Sequence, residues 1–401
     1  MQAFSDIRVI DLTHVLAGPF CTYQLAVLGA DVIKVEPPDA PDMSRASSAA
    51  SHPHETEMGA DFTAQNANKR AVCIDLRRDS GKAILRRLLA RADVLVENYR
   101  SGALAALGFD AESVRAIKPD IVHCSLTGFG QRGPLSQRTA YDNVVQAYSG
   151  LMASTGDGDG APMKVGPPVL DYGSGIQAAF AIASALYQRT RTGDGQYIDV
   201  AMLDAALMLM SSHVSRFHRF GEAAAPTGNR SADNAGYGCY PTRDGLLMLG
   251  AYTPQQAQEM WTVLGDRAYG DALMAMTPAD ATARSSRDRA RIGAILLRKN
   301  ADEWEIEFNR NQVPAAKVRT LDQALTDPHL AHRTVLQTTP DASAQTLPTA
   351  AFQYAEHGPT ITRPPPRIGE HTEEVLREAG YDEHELTQLA EDGVIRIAQR
   401  D

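Results

Sequence analysis

Asp171 is the residue whose surroundings in the sequence best suit covalent chemistry. It lies in the segment GPPVLDYGSG, just before an apolar helix predicted from Gly173 to Tyr187. A carboxylate at a helix N-terminus is held ionised by the helix dipole, and an ionised, partly desolvated carboxylate can act as a nucleophile. Gly173 and Gly175 would let a substrate come close, since they carry no side chain. The same position is also typical of a helix N-cap, so the local pattern leaves both interpretations open.

Other candidate side chains lie in loops at predicted strand ends, and these are Arg45, Lys69, Arg70 and Arg100. Exposed surface charge is the default for such residues. However, α/β folds bind ligands at the carboxyl ends of their strands, which favours contacts with phosphate. His14 and His123 adjoin apolar runs, so a position in or beside the core is favoured over a catalytic role.

Several common cofactor motifs do not occur in the sequence. The first predicted strand is followed by THVLAGPF rather than GxGxxG, and there is no GxxxxGK[ST] loop. The four cysteines are widely spaced, without the paired spacing of a zinc site. The sequence therefore predicts neither a nicotinamide cofactor nor a bound metal.

The composition is that of an ordinary globular protein, with 43% hydrophobic and 22% charged residues. A formal net charge of -10 disfavours binding to nucleic acid or to an anionic membrane, and it means that an anionic ligand would need locally placed Lys or Arg. The N-terminal residues lack a signal-peptide pattern, and no stretch approaches the roughly 20 apolar residues of a membrane span. We therefore expect a soluble, cytoplasmic protein.

The first 130 residues alternate between strand and helix patterns. The predicted strands are Ile7–Leu12, Ala30–Val35, Arg70–Leu76, Ala92–Val96 and Ile121–Leu126. Helices are predicted at Ala17–Leu28 and from Asp79 onward. Strands separated by helical crossovers predict an α/β, Rossmann-like domain with a doubly wound parallel sheet.

With 401 residues the chain is long enough for more than one domain. We expect a large α/β domain at residues 1–211 and a linker with a glycine-containing loop at 212–245. A smaller α+β domain is expected at 246–325, followed by a returning linker and the C-terminal part of the large domain at 326–401. The linker assignment rests on the Ala, Gly, Asn and Pro content of residues 221–245.

Taken together, these segments resemble the class III CoA-transferases, the family of formyl-CoA and carnitine CoA-transferases that also includes α-methylacyl-CoA racemases. The similarity runs through VIDLTHVLAGPF, DMSR, NKRAVCIDLR, DVLVENYRSGALAALGFD, SLTGFGQRGP, YDNVVQAYSG and RTGDGQYIDVAMLDA in family order. It implies a Rossmann-like large domain, a smaller domain, and a homodimer in which two ring-like subunits interlock.

The resemblance also implies roles for individual residues. Asp171 matches the aspartate that becomes acylated, and Leu16 and Tyr141 match positions lining the active site. The residues implied to bind CoA are His14, Ala17, Lys69, Asn98, Tyr99 and Ala103. Arg45 is added to the expected CoA-binding residues from its position at a strand end, and Gly173 to the active-site lining because backbone N–H groups near it could stabilise an oxyanion. The segment Arg45–Phe62 is expected to border the acyl pocket.

Two departures from the formyl-CoA transferase pattern are visible. Leu16 replaces a glutamine that lies near the thioester in that enzyme, so an oxyanion partner would come from elsewhere. The glycine loop that shields the intermediate is replaced by Gly228-Asn229-Arg230 and by the NAGYG run at 234–238. This second change bears on the substrate more than on the type of reaction.

The implied reaction moves CoA from an acyl-CoA to a free carboxylic acid through covalent aspartyl intermediates, with no cofactor beyond the CoA thioester. A racemase would need two proton-transfer groups flanking the α-carbon. Tyr141 stands where the racemases have a histidine, and a tyrosine of ordinary pKa is a poor base at neutral pH, which favours the transferase. A non-catalytic acyl-CoA-binding subunit is a third alternative. The sequence does not identify the acyl-CoA donor or the acceptor acid.

Overall fold

The computed structural model describes residues 1–48, 51–52, 57–158, 160–231 and 233–398. Its contacts divide the chain into two compact units. Unit 1 comprises Met1–Leu151, Val165–Glu222 and Pro328–Asp401, and unit 2 comprises Met152–Lys164 and Ala223–Asp327. The chain therefore leaves unit 1 twice, and unit 2 is wider than the small domain expected at residues 246–325.

Twelve strands form within the described residues. They are β1 (Arg8–Leu12), β2 (Asp31–Glu36), β3 (Arg70–Ile74), β4 (Val94–Glu97), β5 (Val122–Thr127), β6 (Tyr197–Ala201), β7 (Tyr237–Pro241), β8 (Leu246–Gly250), β9 (Ala315–Lys317), β10 (Leu336–Thr338), β11 (Thr346–Pro348) and β12 (Ile395–Arg396). The main sheet has the order β12-β3-β2-β1-β4-β5-β6 and is parallel except for the β12–β3 pair. This confirms the predicted α/β class with a mostly parallel sheet.

The helices connect and cover these strands. They are α1 (Ala17–Ala26), α2 (Ala60–Thr63), α3 (Asp79–Leu89), α4 (Ala103–Ala106), α5 (Ala111–Ile117), α6 (Asp142–Ser149), α7 (Val169–Thr192), α8 (Met202–Leu209), α9 (Ser211–Phe220), α10 (Pro254–Val263), α11 (Arg267–Met274), α12 (Pro278–Leu296), α13 (Ala301–Arg310), α14 (Leu321–Leu325), α15 (Pro328–Arg333), α16 (Thr372–Glu378) and α17 (Glu383–Glu391). The five predicted strands and the helices at Ala17 and Asp79 are confirmed to within a few residues.

The main sheet is apolar on both faces, as expected for parallel strands covered by helices. One core cluster joins β1 to β4 with α3, α16 and α17, and a second joins β1, β4 and β5 with α1 and α7. Successive residues of a strand point to opposite faces, so Ile10 lies in the first cluster and Val9 in the second. The near-continuous apolar runs in the sequence have this origin.

Helix α7 holds the candidate nucleophile and begins earlier than predicted. The sequence pattern predicts a start at Gly173, whereas the helix begins at Val169, so Asp171 lies inside its first turn. Within the described residues α7 is also the helix long and apolar enough to span a membrane by length and composition. Leu170, Ala178 and Ile182 are buried in the second core cluster, which gives the helix a position against the sheet.

Unit 2 has its own core around an antiparallel sheet in the order β7-β8-β9. Trp261 and Trp304 are its largest buried side chains and pack on β8 and on α10, α12 and α13. The segment 212–245, predicted as a linker and loop, contains α9 and β7 instead. Within unit 2 the Gly228 N–H donates to Gly156, and Arg230 pairs with Asp157 at 3.0 Å.

Candidate active site

The ends of β1 and β4 meet where the order of the main sheet reverses. In open α/β sheets the crevice at such a reversal is the usual place for a ligand. His14 follows β1 and Asn98 follows β4, and the two are joined reciprocally. The His14 N–H donates to Asn98 Oδ1 at 2.9 Å, and Asn98 Nδ2 donates to the His14 carbonyl at 2.8 Å. His14 and Asn98, two of the residues predicted to bind CoA, are therefore held together at the carboxyl edge of the main sheet.

The loop after β1 is strained and is held by buried charge. Val15 has a φ of 70°, which is unfavourable for a β-branched residue. Its N–H donates to Asp42 Oδ1 at 3.0 Å, while Lys34 Nζ bonds both Asp42 Oδ2 at 3.0 Å and the Thr13 carbonyl at 2.7 Å. These bonds fix the backbone on both sides of His14, whose pKa is lowered by burial.

Lys69 and Arg45 are turned into the protein. The Lys69 ammonium is fully buried and bonds Asp11 and the Pro19 carbonyl, each at 3.0 Å. The Arg45 guanidinium makes a two-pronged bond with Glu36 and stacks on the Phe62 ring at 3.7 Å. Their predicted role in binding CoA stays a prediction, but neither is the exposed surface charge that the loop positions suggest. Each cation holds a strand end in place.

Three adjoining cavities lie along this carboxyl edge. The first, of about 180 Å³, is lined by residues that include His14, Asn98, Tyr99, Arg100, Arg138 and Tyr141. The second and third, of about 260 and 220 Å³, adjoin β2 and β3, and Tyr99 lines all three. Arg77 borders the third cavity. We call these three cavities together the edge groove.

The first cavity of the edge groove brings local positive charge to a chain that is acidic overall, whereas carboxylates line the second and third cavities. Arg100 and Arg138 line the first cavity, and Arg77 lies at the other end of the groove, where it pairs with Asp75 and Asp39. The Arg100 guanidinium donates no hydrogen bond to any residue within the described ranges. Guanidinium groups are well matched to phosphate, so the first cavity could hold a phosphate-bearing part of a ligand.

Asp171 does not line the three cavities itself, but it is bonded to the residue that follows Tyr141, and Tyr141 lines the first cavity. Asp142 directly follows Tyr141 and is the first residue of α6. Its Oδ2 accepts the N–H groups of Leu170 at 2.7 Å and Asp171 at 3.1 Å. Asp142, which belongs to α6, thus caps the N-terminus of α7. The Asp171 side chain makes no capping bond itself, so the N-cap interpretation of Asp171 is wrong.

The Asp171 carboxyl is poorly stabilised as an anion. Burial first, and then the negative charge of Asp142, raise its pKa to about 7. Burial and the charge of Asp142 thus outweigh the expected effect of the helix dipole on this pKa, and Asp142 also accepts the N–H groups of Leu170 and Asp171 at the start of α7. None of the described residues donates a hydrogen bond to the Asp171 carboxylate.

A second bond fixes the approach to α7. Gln146 is almost fully buried on α6, where its Nε2 donates to Asp142 Oδ1 and its Oε1 accepts the Val165 N–H at 2.9 Å. Asp142 and Gln146 together tie α6 to the chain on either side of the turn into α7. The position of Asp171 is consequently set by α6 as much as by its own helix.

The two glycines after Asp171 serve helix packing. A side chain at Gly175 would meet the Ala17 carbonyl at 2.7 Å, so this glycine allows α1 and α7 to pack closely. At Gly173 it would lie 3.2 Å from Leu209. The idea that Gly175 opens the way for a substrate is therefore wrong, while the active-site role of Gly173 stays a prediction.

The remaining predicted residues are distributed around the same edge. Leu16 and Ala17 are buried at the start of α1, and Ala103 is exposed at the start of α4. Tyr141 is largely exposed at the beginning of α6. Part of the segment predicted to border the acyl pocket, residues 49–50 and 53–56, lies outside the described residues.

Three important residues were missed by sequence reasoning. Asp142, Gln146 and Arg138 occupy ordinary positions in a helix or loop, and no local pattern marks them. Asp142 directly follows Tyr141 in the sequence, but its burial and its bonds to α7 are visible only in the structure. No cluster of three or more His, Cys, Asp or Glu side chains within the described ranges could hold a metal ion.

Comparisons with known proteins agree with this arrangement. The chain matches the model of CoA-transferase family III over residues 4–372. It is 35% identical over 379 residues to the succinate–glutarate CoA-transferase of Agrobacterium fabrum, covering 93% of this chain and 95% of that protein. It is 32% identical over 403 residues to the human succinyl-CoA:glutarate CoA-transferase, covering 98% and 90%.

The fold is also similar to a solved structure. A CAIB/BAIF family protein from Brucella suis superposes with a TM-score of 0.84 and 29% identity, over 94% of this chain and 99% of that chain. The sequence match, the shared fold and the groove at the carboxyl edge of the sheet all lead to the same conclusion. The chain is an enzyme that belongs to CoA-transferase family III.

Proposed function

We propose that this enzyme transfers CoA between carboxylic acids through covalent intermediates on Asp171. An Asp171 oxygen attacks the thioester carbonyl, the C–S bond breaks, and CoA leaves as a thiolate, which gives a mixed anhydride. The thiolate then attacks the Asp171 carbonyl and releases the first acid, leaving an aspartyl-CoA thioester. The acceptor carboxylate attacks this thioester, and the returning thiolate completes the new acyl-CoA and frees Asp171. Dividing the exchange into acyl transfers lowers each barrier.

One observation carries this proposal. Asp171 is a half-buried carboxylate at the start of a helix, with a raised pKa and no hydrogen-bond donor among the described residues. An anion without donors is more nucleophilic than one that is solvated or paired, and a pKa near 7 leaves much of it ionised at neutral pH. A carboxylate with a purely structural role would have donors, as Asp142 has.

CoA is proposed to lie along the edge groove. The thioester end would approach Tyr141 in the first cavity, since Tyr141 precedes the residue bonded to Asp171, and Arg100 and Arg138 would supply positive charge there. His14 and Tyr99 line both the first and the second cavity, and Asn98 lines the first. This placement supplies the local positive charge that an anionic ligand needs, and the transfer chemistry requires no cofactor besides the CoA thioester.

For the substrates we propose a dicarboxylic acid as one partner in the exchange. The similar proteins from Agrobacterium fabrum and human are named for succinate or succinyl-CoA and glutarate. A further relative from Haloarcula marismortui, 33% identical over 393 residues, is named for succinyl-CoA and mesaconate. Succinyl-CoA is therefore the donor to try first, in an enzyme that we expect to work in the cytoplasm.

We also propose that the enzyme is a homodimer with interlocked subunits. Helices α7, α8 and α9 of unit 1 expose large apolar side chains, and α9 has no buried residue in the single chain. The exposed side chains are Ile176, Phe180, Tyr187, Leu207, Met208, Leu209, Phe217 and Phe220. Surfaces of this kind mark interfaces. Light scattering should give about twice the chain mass of 43.3 kDa, and a monomer would contradict this proposal.

The central test is to trap the acylated carboxylate. The enzyme is incubated with succinyl-CoA and then with hydroxylamine, which converts an aspartyl anhydride or thioester to a hydroxamate. Mass spectrometry should find this modification at Asp171, and Asp171→Asn should lose CoA exchange by a factor of about 10³ or more. The matched control is Asp194→Asn, which changes an exposed aspartate in a loop of the same unit.

The outcomes separate the candidate functions. An unmodified Asp171 peptide under turnover, or an active Asp171→Asn variant, would contradict the covalent mechanism. Deuterium incorporation at the α-carbon of a 2-methylacyl-CoA would identify a racemase instead. Binding of acyl-CoA without exchange into any of a panel of carboxylic acids would identify a binding subunit.

A further inference from the structure

A fourth cavity of unit 1, of about 150 Å³, lies over one face of β4, β5 and β6. His123 is paired with Tyr197 across β5 and β6, and Glu97 pairs with Ser125 across β4 and β5. Since side chains alternate along a strand, Glu97, His123 and Tyr197 all project from the same face. This cavity is distinct from the edge groove, although Arg100 borders both.

His123 is the unusual residue of this cavity. It is 95% buried, being 5% exposed, yet neither of its ring nitrogens has a hydrogen-bond partner in the described structure. Burial lowers its pKa to about 4, so the ring is neutral, with one nitrogen as a donor and the other as an acceptor. Leaving two such groups unpaired is costly, and a ligand that entered the cavity would relieve this cost.

The polar groups around His123 favour a small anion. Arg100 brings a guanidinium that has no partner among the described residues to the mouth of the cavity, and Gln131 adds an amide that is held by Ser125 at 2.6 Å. Glu97 and Asp110 are the opposing charges, and Asp110 is exposed and accepts the Ser113 N–H at the start of α5 at 2.7 Å. Burial raises the pKa of Glu97 to about 7, so near neutral pH Glu97 is partly protonated and repels an anion less than an ordinary carboxylate would.

The rest of the lining favours a short apolar tail on that anion. Leu104 and Phe109 are buried side chains of the first core cluster that reach the cavity, and Ala105 and Ala111 complete this wall. The volume suffices for a few non-hydrogen atoms and a water molecule, at about 30 Å³ for each water. Inorganic phosphate would leave the apolar wall without a contact.

We propose that this cavity is a second binding site, separate from the edge groove, for a short-chain carboxylate such as acetate or propionate. The carboxylate accepts the N–H of His123 and pairs with Arg100, and its alkyl group lies on Leu104 and Phe109. A bound water pairs the second ring nitrogen. The site is a property of the free enzyme and does not depend on CoA transfer.

The test measures binding of acetate and propionate by calorimetry in the absence of CoA. His123→Phe keeps an aromatic ring beside Tyr197 but removes both nitrogens, and it should weaken binding by about tenfold or more, as expected for a hydrogen bond to a charged group. His384→Phe, an exposed histidine on α17, is the matched control and should bind like the wild type. His123→Gln retains a donor and an acceptor and should bind with intermediate affinity.

Several results would overturn the proposal. These are no saturable binding, equal affinity in His123→Phe, competition by inorganic phosphate as strong as that by propionate, or ordered water alone in crystals grown with acetate. Binding that is lost in Asp171→Asn but kept in His123→Phe would assign the acid to the catalytic carboxylate instead. If His123→Phe does not fold, the ring ¹⁵N resonances of wild-type His123 must shift on titration with acetate.

Discussion

The buried charges beside β1, β2 and β3 differ sharply from the carboxylate at the start of α7. In the first region, which we call the strand-end network, every charge has an opposite partner: Lys69 with Asp11, Lys34 with Asp42, and Arg45 with Glu36. Asp171, by contrast, lies next to another carboxylate and has no cation among its described contacts. The strand-end network is buried and Asp171 is half-buried, so burial alone does not identify a reactive group.

The difference appears in the direction of the pKa shifts. Burial alone would raise the pKa of Asp11, but Lys69 and Lys34 lower it below its ordinary value, and Lys34 does the same for Asp42. For Asp171 burial and the charge of Asp142 act in the same direction and raise the pKa. Paired charges are stabilised and inert, whereas an isolated carboxylate keeps the reactivity that nucleophilic attack requires.

The largest expected effect is on stability, in the strand-end network. Lys69→Met removes one partner of a fully buried pair and leaves Asp11 underpaired, which should cost about 3–5 kcal/mol in the free energy of unfolding. Urea unfolding followed by circular dichroism measures this loss. The double variant Asp11→Asn with Lys69→Met should recover part of it, because no uncompensated charge then remains. A loss below about 1 kcal/mol in Lys69→Met would contradict the distinction between the two regions.

A smaller effect is expected on the pH dependence of kcat/KM, which depends on the ionisation of Asp171. The deprotonated Asp171 is the reactive form, so kcat/KM should fall as the pH drops through about 7. Asp142→Asn removes a nearby negative charge while keeping an oxygen that can accept the N–H groups of α7. The acid limb of the profile should therefore move to lower pH. At pH 6, kcat/KM relative to its plateau value should be about two- to tenfold higher than in the wild type.

The control for this experiment is again Asp194→Asn, whose acid limb should coincide with that of the wild type. An acid limb in Asp142→Asn that is unchanged or moves to higher pH would contradict the electrostatic account. A fall of the plateau alone, with the limb in place, would mean that Asp142 acts on Asp171 only through the geometry of α7.

The parallel part of the fold could be predicted because its strands are buried on both faces. Runs such as RAVCI and VLV supply apolar side chains to both faces, and helical spacing is clear from Asp79 onward. The start of α7 could not be predicted, since Pro167 and Pro168 suggest a loop and the cap comes from Asp142, some 30 residues earlier. The β12 strand was missed because two residues give no periodicity.

In the candidate site, residue types were easier to predict than their surroundings. Asp171, His14 and Asn98 were selected from the sequence, and the structure brings His14 and Asn98 together at the reversal of strand order. The burial of Lys69 and Arg45 could not be read from their loop positions, because it depends on carboxylates that lie elsewhere in the sequence. Likewise, the effect of the α7 dipole on the Asp171 pKa could not be predicted from the sequence, because Asp142 accepts the N–H groups of Leu170 and Asp171.

The pairing of β12 with β3 has a consequence for how the chain folds. Ile395 lies opposite Ile74, so the edge of the main sheet is completed by a segment synthesised more than 300 residues later. Until Ile395 and Arg396 are in place, β3 presents an unpaired edge on which another chain could add a strand. Contacts this distant in sequence also slow folding. We therefore expect the β3 edge to be the place at which incompletely folded chains associate.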